Sequence, residues 1–174
     1  MPELIGHGLI MKAVNISELI DAIEFDSDEY GSWVDLQTGG VVRLAHSLIS
    51  AVEDDDGDAL ESMADWEKEE VEIARAIVAE NERFVRAPEK FDFNEYRQME
   101  RFIGSIDDSA AAEDLSRAIE GKGAFRHFKD TANRLGLLKA WFAYRDTVVK
   151  EFVRDWAEAH QIDVTDDTAP ASEA

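Results

Sequence analysis

Glu120-Gly121-Lys122-Gly123-Ala124-Phe125-Arg126-His127-Phe128-Lys129-Asp130 is the stretch that decides how this chain is read. The periodic pattern of one helix stops before it, and that of another starts inside it. Gly121 suits the left-handed backbone that ends helices, and Gly123 can open the next one. Phe125, Phe128, Ala132 and Leu135 then recur at helical spacing as one apolar stripe, which Gly136 closes. Lys122, Arg126, His127 and Lys129 crowd the same turn and a half. Between Arg117 and Arg145 there are seven basic and two acidic residues, a local net charge of +5. The whole chain carries −21, with 39 Asp and Glu against 18 Lys and Arg in 174 residues. The corner is therefore a basic island in an anionic protein.

The elements around the corner read as helices. After Gly136, about Leu137 to His160, the sequence repeats Leu138, Trp141/Phe142, Arg145, Val148/Val149, Phe152, Trp156 and Ala159, the best-patterned element in the chain. Trp141, Phe142, Phe152 and Trp156 are expected in the core. Arg145 falls on the same apolar side and needs a carboxylate there, with Asp130 as the candidate. Upstream, Asp107 or Asp108 caps a helix that turns Leu115, Ala118 and Ile119 inward. Asp92 and Glu95 fit a capping box before Tyr96, Met99, Phe102, Ile103 and Ile106.

The first half mixes strands with helices. Asn15 and Glu18 form a second capping box, followed by Ile16, Leu19, Ile20 and Ile23 on one helical face. Trp33, Val34 and Leu36 lead through Thr38-Gly39-Gly40 to Val41, Val42 and Leu44, a hairpin signal. A short helix is expected over 47–52 and a longer one over 65–82, with Trp66, Val71, Ala74 and Val78 inward. Arg83 to Pro88 alternates as a third strand. Glu53 to Asp58 resembles a calcium loop, but with Gly57 at the sixth place the first and twelfth ligands would be Val52 and Met63, which cannot coordinate it. A solvated acidic loop is expected instead.

The fold class that follows is α+β, mainly α. It has a small antiparallel three-stranded sheet with helices, then a C-terminal bundle of about four helices. Residues 1–10 are expected as a disordered extension. Residues 11–162 are expected as one domain, with an acidic half over 11–90 and a helical half over 91–162, and 163–174 as a disordered acidic tail. Charge divides the same way: −15 over residues 1–90 and −2 over 91–160.

Composition narrows the function classes. The absence of cysteine removes disulfides, thiolate metal sites and cysteine nucleophiles. His7, His46, His127 and His160 lack metal spacing, and no paired Glu-x-x-His or Gly-x-Ser-x-Gly motif occurs. No cofactor or metal is implied, and the reading leans away from an enzyme. No apolar run approaches the roughly 20 residues of a membrane helix. A charge of −21 disfavours broad nucleic-acid binding, because phosphate contacts need Lys and Arg.

The sequence resembles a bacterial group, uncharacterised protein family 0158. The residues that carry the likeness are Glu24 to Glu29, Asp35, Thr38-Gly39, Tyr96 to Phe102, Gly121 to Asp130 and Trp141 to Asp146. It spans roughly Met11 to Ile162, with Lys122, His127 and Tyr144 departing mildly from the usual arginine, arginine and phenylalanine. The resemblance supports the fold outline and supplies no catalytic residues.

The expected function is a non-catalytic cytoplasmic interaction or regulatory module that meets a protein partner through its acidic half or its basic corner. The alternative is a phosphorylated ligand or nucleic acid bound at the corner. Gly121, Lys122, Gly123, Arg126, His127, Lys129 and Arg145 are the candidate binding residues. Backbone N–H groups at a helix start, with the dipole behind them, favour an anion there, and His127 adds a titratable imidazole. Gly-Lys-Gly lacks the spacing of a phosphate-binding loop.

Overall fold

The computed structural model describes residues 4–5, 9–63 and 65–166. It divides into two compact units, residues 1–89 with 153–174, and residues 90–152.

In the first unit, strands β1 (Leu4–Ile5) and β2 (Leu9–Ile10) pair antiparallel. These four residues were expected in a disordered extension; its other positions, 1–3 and 6–8, lie outside the described residues. Strand β3 (Val14–Asn15) runs directly into helix α1 (Ile16–Glu24). Asn15 starts the helix by accepting a hydrogen bond from the Ser17 amide at 3.0 Å. Glu18 does not complete the expected capping box: its Oε2 is buried and has no hydrogen-bond partner. Ile16, Leu19, Ala22 and Ile23 are the buried face of α1.

The hairpin forms as its turn residues dictate. Strands β4 (Tyr30–Asp35) and β5 (Gly40–Ala45) pair from Tyr30 opposite Ala45 to Asp35 opposite Gly40. Gly39 has φ +76°, and its amide donates to the Asp35 carbonyl at 2.8 Å. A Cβ at Gly39 would lie 2.5 Å from the Ala13 carbonyl, so glycine is required there twice over. Strand β6 (Phe84–Arg86) pairs antiparallel on the other side of β4, giving the order β5-β4-β6.

Helix α2 (His46–Glu53), the short α3 (Gly57–Glu61) and α4 (Lys68–Val78) follow the hairpin. Trp33, Leu44, Leu48, Val71 and Ala74 form one core cluster among strand and helix residues. In the acidic loop, Asp56 caps α3 by accepting from the Ala59 amide. Helix α4 ends four residues before the expected Glu82. Glu80 takes φ +54°, and the Asn81 side chain accepts from the Arg83 amide, which turns the chain toward β6. The tail expectation is also revised. Strand β7 (Val164–Thr165) pairs in parallel with β3, Val14 opposite Val164. Two β-branched residues suit a strand better than disorder; positions 167–174 lie outside the described residues.

The second unit begins at Lys90, where the sequence turns from strongly acidic to nearly neutral. Helix α5 (Lys90–Phe93) precedes α6 (Glu95–Gly104). Asn94 caps α6, accepting from the Arg97 amide, and not the expected Asp92. Its φ of +52° explains the exchange, because asparagine tolerates that left-handed corner. Asp108 caps α7 (Ser109–Ala118) as expected, accepting from the Ala110 and Ala111 amides. Then come α8 (Ala124–Arg134) and α9 (Leu138–Ala159), whose residues up to Phe152 belong to this unit. Met99, Phe102, Ile103, Leu115, Phe128, Ala132 and Trp141 pack as the core of this bundle.

Two aromatic expectations are corrected. Phe125 is 47% exposed and Phe142 is 50% exposed. The buried stripe of α8 is Ala124, Phe128 and Ala132, spaced by four, which leaves Phe125 one position off it. On α9 the inward place belongs to Trp141, so its neighbour Phe142 turns outward. The chain is thus α+β and mainly α, with a small antiparallel three-stranded sheet and a later helical bundle.

Candidate functional site

The corner between α7 and α8 is built by backbone geometry. Helix α7 stops at Ala118, and the Tyr96 hydroxyl donates to the Ile119 carbonyl at 3.2 Å, satisfying one of the exposed end carbonyls. Gly121 and Gly123 both take positive φ, +76° and +75°. These two left-handed residues reverse the chain in five positions. The start of α8 has no side-chain cap and no acidic residue in its first turn. Ala124 and Phe128 then point into the bundle core.

The sequence-predicted cations stand outside. Lys122, Arg126, His127 and Lys129 are all exposed. Arg126 is 87% exposed, and its Nε lies 3.9 Å from Asp130, a contact at the outer limit of an ion pair. Among the described residues, no ion pair involves Lys122 or Lys129. Other basic residues nearby in sequence are engaged: Arg117 reaches Glu113 at 3.2 Å and Arg134 reaches Asp114 at 3.5 Å. The His127 amide donates to the Gly123 carbonyl, and its ring lies over Gly123, where a Cβ would come within 3.4 Å of it. Gly123→Ala therefore meets the His127 ring at ordinary contact distance, and its cost comes from a left-handed φ that L side chains rarely adopt. It should lower stability by about 1–2 kcal/mol, readable as a fall in Tm of about 2–8 °C. An unchanged melt would mean that the corner relaxes freely.

Arg145 does not join this group as a free ligand. Its Nε donates to Glu95 Oε1, with side chains 19% and 29% exposed, and its guanidinium lies 5.6 Å over the Phe93 ring. The expected partner Asp130 is 72% exposed and faces Arg126 instead. A half-buried guanidinium takes a carboxylate at its own depth, and Glu95 at the start of α6 provides it.

One carboxylate has a perturbed titration. The Asp35 side chain is almost wholly buried and accepts from Arg83 Nε and Nη2, both at 2.8 Å, and from the Gln37 amide at 3.0 Å. Burial alone would raise its pKa. The Arg83 hydrogen bond, the Gln37 amide, the Arg83 charge and the Thr38 hydroxyl outweigh it and hold the carboxyl below its ordinary range. Arg83 is correspondingly raised, first by its hydrogen bond to Asp35. The pair ties the hairpin turn to the chain entering β6, so its role is architectural. Among the described residues, no three His, Asp or Glu side chains are grouped to hold a metal ion.

A groove in the first unit was not anticipated. Glu18, Asp21, Ala22 and Phe25 line one side and Ser32, Val41 and Arg43 the other, around a cavity of about 170 Å³. The signal was present in the sequence: positions 18, 21, 22 and 25 follow the i, i+3, i+4, i+7 spacing of a second face on α1. The stronger apolar stripe of Ile16, Leu19 and Ile23 on α1 masks that weaker pattern.

The family model described as Uncharacterised protein family (UPF0158) matches residues 9–171. No curated protein and no solved structure matches the chain.

Proposed function

This chain belongs to the uncharacterised protein family UPF0158, and we propose that it is a non-catalytic cytoplasmic interaction module whose basic corner docks an acidic surface of a protein partner. The observation that carries the reading is the state of Lys122, Arg126 and Lys129. They stand exposed on a short, glycine-framed reversal, and two of them have no ion-pair partner among the described residues. Exposed Phe125 lies among them, an apolar contact beside the charges. Such a mixed patch suits a macromolecular interface, where charge sets orientation and approach and an aromatic supplies contact area. Among the described residues no helix is long and apolar enough to cross a membrane.

The second reading, a phosphorylated ligand or nucleic acid at the same corner, is favoured by the uncapped start of α8. One experiment separates the two. The variant Lys122→Glu/Arg126→Glu/Lys129→Glu should lose at least about ten-fold in affinity for the protein partner recovered by in-cell crosslinking, with its melt little changed, because all three positions are exposed. A thermal shift with nucleotides or polyphosphate in the parent protein, abolished in the variant, would move the assignment to the phosphate reading. Equal partner recovery by parent and variant would remove the corner from the function.

A further inference from the structure

The groove beside α1 combines features that the basic corner does not explain. From size, chemistry and charge we infer that it receives a lysine or arginine side chain from a basic segment of a protein partner. This is a second surface, independent of the corner.

Size argues for one side chain. A cavity of about 170 Å³ is smaller than the roughly 300–1,000 Å³ of small-molecule sites. The lining has the two parts that a long basic side chain needs. Ala22 and Val41 offer apolar contact to an aliphatic stem, and Glu18 and Asp21 offer carboxylates to a cationic head. Glu18 Oε2 is the most telling atom. It is removed from solvent and accepts no hydrogen bond from the protein. A desolvated carboxylate oxygen without a donor is costly, and an ammonium or guanidinium held in the groove beside Glu18 supplies the opposite charge.

The far end of the groove sets direction. Phe25 lies seven residues beyond Glu18, roughly 10 Å along a helical path. It is 59% exposed. The Arg43 guanidinium sits over the Phe25 and Tyr30 rings at 6.0 and 4.7 Å to their centroids. The contact with Phe25 holds that ring at the rim. Arg43 repels a cation at this end, so the charged head is directed to Glu18 and Asp21. The surroundings match a basic partner, since residues 1–90 carry −15.

The test is a titration of the full chain, followed by ¹⁵N–¹H correlation spectra, with the peptide acetyl-Gly-Arg-Gly-Arg-Gly-amide. Its citrulline counterpart keeps the shape and removes the charge. The expected result is shifts clustered at Asp21, Ala22, Ser32 and Val41, with the arginine peptide binding at least about ten-fold tighter than the citrulline one. Asp21→Lys, at an exposed position, should weaken binding by about ten-fold or more, and Glu18→Gln should weaken it in the same direction. Glu53→Lys makes the same charge change at the exposed end of α2 and should cost no more than about three-fold. Equal losses from Asp21→Lys and Glu53→Lys would overturn the proposal in favour of general acidity, as would shifts scattered over the acidic surface. Free arginine binding as tightly as the peptide would overturn it in favour of an amino-acid site. The corner variant Lys122→Glu/Arg126→Glu/Lys129→Glu should bind the peptide unchanged, so this result and the one above stand or fall separately.

Discussion

Phe128→Ala lowers the free energy of unfolding by about 3–5 kcal/mol. The side chain is fully buried, and its ring meets Trp141 at 4.8 Å and Phe102 at 6.2 Å, both edge-to-face. Truncation removes buried apolar area and leaves a void beside two large rings that cannot collapse into it without leaving their own contacts with Tyr144. The lost aromatic pairing adds about 0.5–1.5 kcal/mol for each good pair. Phe125→Ala, three residues earlier, should cost under about 1 kcal/mol because the side chain is half exposed. Urea unfolding of both variants measures the contrast. Equal losses would show that the stripe of α8 is assigned wrongly, and the corner it supports with it.

Asp35→Asn is expected to cost about 2–3 kcal/mol near neutral pH. That is below the roughly 3–5 kcal/mol of a fully buried broken pair, because the Arg83 side chain is 35% exposed and remains partly hydrated. The pH dependence has a definite sign. The folded-state pKa of Asp35 is lowered, so the native protein holds the proton less tightly than the unfolded chain does. The contribution is therefore complete above the unfolded value of about 3.9 and is lost as pH falls through the lowered folded value. The stability gap between parent and Asp35→Asn should be flat from pH 8 to about 5 and close on acidification below about 4. A gap that widens on acidification would contradict the assignment of Arg83 as the partner that holds the carboxylate charged.

Much of the architecture was legible because the local signals were strong and agreed with one another. Asn15, Asp108, Gly121, Gly123 and Gly136 mark element ends by backbone chemistry that needs no tertiary information. Val34 and Val41 on opposite sides of Gly39 left little choice of register. What was not legible depended on contacts distant in sequence. Arg145 selects Glu95 over Asp130 by depth of burial, which a helical wheel does not give. Asp35 and Arg83, 48 positions apart, meet only once β6 has paired with β4. The choice between Phe125 and Phe128 turned on Ala124, a small residue whose burial a search for large apolar side chains passes over. The exposed cations of the corner were legible as a charge cluster, and the groove beside α1 was hidden by the better-known face of the same helix.

The parallel pairing of Val14 with Val164 bears on the order in which the molecule is made. Synthesis runs from the amino end, and units usually finish in that sequence. Here β3 must wait for β7 to emerge, while residues 90–152 make up a compact unit that is complete before then. A premature stop after residue 152 would thus cut α9 short of Ala159 and leave β3 without its strand partner.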